Sequence, residues 1–211
     1  MKKILALILV FGCIFAFASC VNPDANGGNT NQTPTDNEGK EQTLEAIQTA
    51  VNESAPINAD IEVKFESEIG DLNGSYNVTY NDDGSATVDY SYELFNKYDE
   101  NADRDSETTT YTGVVAVLAD GEVVGNIGGV ASVEAVSFDI SLDEEYLDDC
   151  KIEAGVLEAN VKSENSFDVL GVDIPYDSKL TVTTSGGNVT SVVIAYEAEY
   201  GSIEIVAVYH Y

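Results

Sequence analysis

In Asp60-Ile61-Glu62-Val63-Lys64-Phe65-Glu66-Ser67-Glu68-Ile69, the apolar Ile61, Val63, Phe65 and Ile69 mostly alternate with charged side chains, with a period of two. Successive side chains of a strand point to opposite faces, so the pattern predicts a half-buried β-strand. One dry face and one wet face is the habit of an antiparallel sheet; a parallel sheet is buried on both. The same period recurs downstream. After a turn expected at residues 70–74, Tyr76, Val78 and Tyr80 share a face. Asp82-Asp83-Gly84 is a hairpin signal, and residues 86–95 return as its partner with Val88, Tyr90 and Tyr92 on one side.

The remainder reads the same way. Strands are expected over residues 108–119, 122–127, 130–140, 152–162 (bent at Gly155), 179–184, 188–198 and 202–211. The last three are joined by Ser185-Gly186-Gly187 and by Gly201. Helices are few. Thr43 can cap a helix of about eleven residues whose Leu44, Ile47 and Val51 share a face, with Ala55-Pro56 ending it. Two short helical turns are expected, one after Ser141 through residues 142–147 and one over residues 163–170 closed by Gly171. Long runs of strands joined by short links predict an α+β fold, mostly antiparallel β, rather than βαβ units. The stretches 78–92 and 182–196 have equal spacing and end in Tyr92-Glu93 and Tyr196-Glu197. They read as two hairpins of similar length rather than a duplicated half.

The 211 residues carry 38 acids against 9 Lys and Arg, a net charge of −29. Nucleic-acid binding needs a basic surface, so that class is excluded. Docking on anionic lipid by charge is excluded on the same ground. Such acidity suits solubility and self-repulsion outside the cell.

The N-terminus supplies an address. Lys2 and Lys3 precede a nearly unbroken apolar run from Ile4 to Ala18, and Ala18 and Ser19 are small. That order is a secretory signal, with an apolar run shorter than a spanning helix needs. Phe17-Ala18-Ser19-Cys20 resembles the lipobox of bacterial lipoproteins, Leu-(Ala/Ser)-(Gly/Ala)-Cys, departing from it at Phe17. Cys13 is the competing cysteine, but an apolar segment continues beyond it. The resemblance implies cleavage before Cys20, a diacylglyceryl thioether on its sulfur, and an extracytoplasmic protein held to a membrane by lipid. Losing the two leader lysines would leave 7 cations against 38 acids, a charge of −31. Residues 1–19 are then the signal peptide and 43–211 a single domain. Residues 20–42, rich in Asn, Gly, Thr, Pro and acid, read as a disordered tether with a root-mean-square span of roughly 25 Å.

Candidate chemistry is sparse. The single histidine, His210, lies one residue from the C-terminus, where ends usually fray, and a catalytic zinc site normally draws on several His or Cys ligands. No Gly-rich loop enters a long helix. Cys150 follows Asp148 and Asp149, whose charges would raise a thiol pKa, and reads as an inert residue at a strand edge. The expectation is therefore a protein without enzymatic activity or resident cofactor. Calcium is the ion for which a pattern exists: Asp99, Asn101, Asp103, Asp105 and Glu107 alternate as in the first part of an EF-hand loop. Arg104 stands where that loop needs Gly, and Thr110 where its closing Glu belongs, so a solvated acidic loop competes with it. Tyr76, Tyr80, Tyr90 and Tyr92 read as cross-strand core and rim pairs, with an aromatic glycan platform as the lesser alternative.

One helix followed by a long antiparallel meander, behind a lipobox, resembles the half-barrel folds of the lipoprotein-carrier and lipid-binding lipoprotein families. In those folds a curved sheet wraps an apolar cavity under helices. The resemblance rests on element order over residues 43–211 and implies an apolar or lipid ligand. An extracytoplasmic adhesion or partner-binding module, taking a glycan or a protein, is the alternative.

Overall fold

The computed structural model describes residues 43–68, 70–97, 107–117, 123–125, 140–171 and 173–211. Helix α1 (Leu44–Glu53) begins at Thr43, whose hydroxyl accepts from the Ala46 amide at 3.3 Å. It buries Ile47, Ala50 and Val51, the face expected from their spacing. Ser54 ends it one residue before Ala55-Pro56, so the helix has ten residues.

Ten strands follow: β1 (Asn58–Ser67), β2 (Gly70–Tyr80), β3 (Ala86–Asn96), β4 (Glu107–Val117), β5 (Val123–Gly125), β6 (Leu147–Glu153), β7 (Val156–Val161), β8 (Ser178–Ser185), β9 (Asn188–Ala198) and β10 (Gly201–His210). A 3₁₀ turn (Ser163–Asn165) runs into helix α2 (Ser166–Leu170), closed by Gly171 at φ 69° as expected. All ten strands form one antiparallel sheet in the order β5-β4-β3-β2-β1-β10-β9-β8-β7-β6. The first and last strands therefore pair at its centre. The fold is α+β, a curved, half-barrel-like meander with an N-terminal helix.

Alternation puts most apolar residues of every long strand on one face, with Val114 on β4 and Val208 on β10 as outward exceptions. A single lateral row shows it: Leu157, Val182, Val192, Ala207, Ile61, Tyr76 and Tyr90 lie opposite one another from β7 to β3, all buried. Each full burial of a large side chain is worth about 1.5–3 kcal/mol, far more than an exposed ion pair contributes. This inner face holds the sheet together, and α1 packs on it over β8 and β9. The opposite, outer face carries Glu62, Lys64, Glu66 and their neighbours in water.

Three local expectations need correction. The β1–β2 turn lies between Ser67 and Gly70, while residues 70–74 belong to β2. Side-chain chemistry sets it: Ser67 Oγ donates to Gly70 O at 2.6 Å, and Lys97 Nζ donates to both Ser67 O (3.0 Å) and Asp71 Oδ1 (2.6 Å). The stretch expected as one bent strand, 152–162, is instead the second half of a hairpin. Ala154 and Gly155 both have positive φ (48° and 85°), the signature of a two-residue type I′ turn between β6 and β7. Finally, Asp143 rather than Ser141 caps the turn Glu144–Tyr146, accepting from the Glu145 amide at 3.1 Å. The Ser141 amide is used elsewhere, donating to Val169 O at 2.9 Å. Within the strand expected over 130–140, residues 130–139 lie outside the described residues.

Candidate functional site

The outer face carries a trough of about 750 Å³ where β1, β10, β9, β8 and β7 run side by side and β6 closes the far end. The pairing registers give its plan. One row crosses the sheet as Asp148, Asn160, Lys179, Ala195, Glu204 and Lys64. The next row runs Glu197, Ser202, Glu66. Ala195 and Ser202 are the short side chains among long charged ones, and they form the floor. The trough gathers Lys64, Lys162 and Lys179, three of the five lysines among the described residues. In so acidic a chain, that is where positive charge is concentrated.

Its polar groups fall into two sets. Some are engaged: Lys162 Nζ meets Asp148 Oδ2 at 3.0 Å, and Asn160 Nδ2 donates to Asp149 Oδ2 at 3.0 Å. The Asp148 hydrogen bond, with its charge, holds the Lys162 ammonium above its ordinary pKa. Asp177 Oδ1 accepts from the Ser163 amide at 2.9 Å. The others are open. Among the described residues, Lys64, Lys179, Glu66, Glu197 and Glu204 make no side-chain ion pair or hydrogen bond. The trough therefore offers free donors and free acceptors side by side.

The inner face is built differently in its two halves. Toward β7–β10 it is mostly aliphatic, with Tyr196 and Tyr209 among its buried side chains, and α1 packs on β8 and β9. Toward β2–β4 it is a row of tyrosines: Tyr76 lies opposite Tyr90, the Tyr90 and Tyr92 rings stack at 6.1 Å, and Tyr92 stacks on Tyr111 at 4.8 Å. Glycine makes room for them. A Cβ on Gly113 would fall 2.6 Å from Tyr90 Cζ, and one on Gly74 2.8 Å from the Tyr76 ring. Burial first, then neighbouring tyrosines, pushes Tyr76 and Tyr92 up to about 12. The core-pair reading of these tyrosines holds, and their rings are not on the solvent face.

Phe17, Ala18, Ser19 and Cys20, with the tether, lie outside the described residues. So do Asp99, Asn101, Asp103 and Asp105 of the calcium pattern; Glu107 begins β4. Cys150 is exposed on β6, the strand at one end of the sheet order. Its thiol is raised, as expected, but by burial and by Glu144 rather than by Asp148 and Asp149. His210 does not fray: it belongs to β10 opposite Asn58, and its Nε2 lies 2.9 Å from Asp60 Oδ2. Sequence reading missed the trough. Its one signal was Ala195 and Ser202 at outward positions flanked by charge, and their meeting depends on register.

Among the described residues, no helix is long and apolar enough to cross a membrane. No protein-family model matches the chain, and no curated protein sequence matches it. Among solved structures, it is similar to the crystal structure of LprF from Mycobacterium bovis, with a TM-score of 0.36 and 10% identity over 78% of this chain and 90% of that one. A likeness that loose bears on neither ligand nor activity.

Proposed function

We propose that the protein is a cell-envelope lipoprotein, held outside the cytoplasm by lipid on Cys20, whose curved sheet takes up an apolar or lipid ligand without chemical change. One observation carries the ligand reading: a single wide sheet has a mostly apolar inner face, with Ser67, Ser178 and Thr184 as buried polar side chains on it, and a small helix packed there. Ten strands span about 43 Å, whereas a ten-residue helix is about 15 Å long. The inner side chains are closed to solvent both near α1, with Leu157, Leu180 and Val182 at 0% exposure, and away from it, with Val63 and Val88 at 0%. Uptake therefore requires this face to open, by movement of α1 from β8 and β9 or of whatever covers β1–β4. Native mass spectrometry of the protein extracted from its own membrane tests this. A bound apolar species that exchanges with added fatty acid supports the reading. A ligand-free protein that also leaves fatty acid unbound would overturn it.

The alternative, a non-enzymatic extracytoplasmic module binding a glycan or a protein, is favoured by a separate observation, the outer-face trough with its open donors and acceptors. Pull-down of envelope material with wild type and with a trough-filled Ala195→Phe variant tests it; equal capture by both would remove the trough from consideration.

A further inference from the structure

We propose that the trough binds an extended peptide segment of mixed charge, carrying ammonium and carboxylate side chains together. The proposal rests on the partner-binding reading and deepens it; it is independent of the lipid reading. The argument begins with what the trough discriminates. A purely cationic ligand would be drawn to any face of a chain with net charge −29, with no preference for this one. A purely anionic ligand would meet six carboxylates, among them Glu66, Glu197 and Glu204. A neutral sugar is normally held against an aromatic face. Tyr196, the aromatic at the border, belongs to the inner-face row and stacks there on Tyr176 at 6.0 Å.

A ligand bearing both signs is the one that the pattern selects. Lys179 and Lys64 flank the Ala195–Glu204 pair in one row, while Glu197 and Glu66 flank Ser202 in the next. Rows on one face repeat at about 6.8 Å along the strands, and an extended peptide presents every second side chain at the same repeat. The floor residues leave depth for its backbone, and the unpaired lysines and glutamates supply partners of opposite sign to its side chains without first breaking an ion pair. Charge complementarity of this kind gives specificity and orientation more than raw affinity, so weak binding is expected.

The test is a titration of the full, ¹⁵N-labelled chain with four probes: a capped octapeptide Lys-Lys-Glu-Glu-Lys-Lys-Glu-Glu, which puts both signs on each face of an extended strand, hexalysine, hexaglutamate and a neutral chito-oligosaccharide. The mixed-charge peptide is expected to shift the amides of Ala195 and Ser202 selectively. Lys64→Ala and Lys179→Ala should each weaken it about fivefold, the scale of an exposed ion pair. Lys97→Ala, outside the trough, should leave it unchanged. Ala195→Phe should abolish it while the inner-face amides keep their shifts, which reports an intact fold. Equal response to hexalysine, or no selective shift at millimolar peptide, overturns the proposal. Oligosaccharide binding in the trough would overturn the peptide and keep the partner-binding reading. No binding by any probe removes both.

Discussion

The amide of Val189 donates to the hydroxyl of Ser54 at 2.9 Å, so the beginning of β9 is tied to the end of α1 across 135 positions of sequence. The same hydroxyl donates back to Ala50 O at 2.6 Å, so one oxygen serves helix and sheet together. Val189 is fully buried, and its amide has no water to turn to. Ser54→Ala leaves that donor unsatisfied and is expected to cost about 1–3 kcal/mol. Chemical denaturation gives the total. Hydrogen exchange at Val189 locates it; unchanged protection there would contradict the tie.

The tyrosine row makes a prediction about glycine. A methyl group at Gly113 would run into the ring of Tyr90, itself held against Tyr92. Gly113→Ala should destabilise by about 1–3 kcal/mol, the usual penalty for overpacking. A compensating Tyr90→Leu should make the double variant more stable than the two single effects added. At Gly201 the obstacle is backbone, the Glu66 carbonyl, which has no rotamer to escape into. Gly201→Ala should therefore cost more than Gly113→Ala, and the reverse order would refute the account.

Much of this fold was legible because one physical rule, the two-residue alternation, governs nearly all of it. Ile61, Val63 and Phe65 face the core as their spacing demanded, and so do Val88, Tyr90 and Tyr92. The misreadings have a common cause: side chains, not backbone preference, decided them. Gly70 and Gly74 looked like a turn, but Gly74 sits in a strand to admit a ring, and Ser67, Asp71 and Lys97 make the turn instead. Ala154-Gly155 lacks the Asn or Asp that usually announces a type I′ hairpin. The trough was invisible for a different reason. Lys64 and Glu204 are 140 positions apart, and only the pairing of the first strand with the last brings them together.

Alkaline titration offers a test of the inner face. Tyr76, Tyr80 and Tyr92 are pushed up to about 12 from the ordinary 10, chiefly by burial. Tyr196 and Tyr209 are raised further by the same cause. An unfolded tyrosine loses its proton near pH 10, so above that value the unfolded state gains stability that the folded state does not. The contribution of these residues is full below pH 10 and lost as pH rises toward 12. The phenolate absorbance of these five residues, out of twelve tyrosines, should be missing from the total at pH 11 while the far-ultraviolet dichroism remains native, then appear together with unfolding. Full phenolate absorbance at pH 11 in a native protein would contradict their burial.

The anchor has its own test. Mass spectrometry of the membrane-extracted protein should find Cys20 as the first residue, carrying a diacylglyceryl group. Each buried methylene contributes about 0.8 kcal/mol, so two chains hold a protein that one would hold only marginally. Cys20→Ser should leave the membrane fraction or remain unprocessed. Unmodified Cys20 in membrane-bound wild type would sink the lipobox reading.

The β6–β7 turn predicts a stabilising change. Ala154 adopts φ 48°, a left-handed conformation that glycine and asparagine tolerate and alanine resists. Its neighbour Gly155, at φ 85°, already satisfies the second turn position. Ala154 is exposed, so a larger polar side chain there meets solvent rather than core. Asparagine keeps the φ and restores the Asn-Gly pair that a type I′ turn favours. Ala154→Asn should therefore stabilise the protein by about 0.5–1 kcal/mol, close to the left-handed penalty it relieves. Glycine also removes that penalty but widens the unfolded ensemble, so Ala154→Gly should gain less. β6 lies at one end of the sheet order and shares with β7 the pairs Lys151–Glu158 and Ile152–Leu157. Slower hydrogen exchange at those positions would localise the gain to the hairpin. A loss of stability in both variants would mean that Ala154 is not held left-handed.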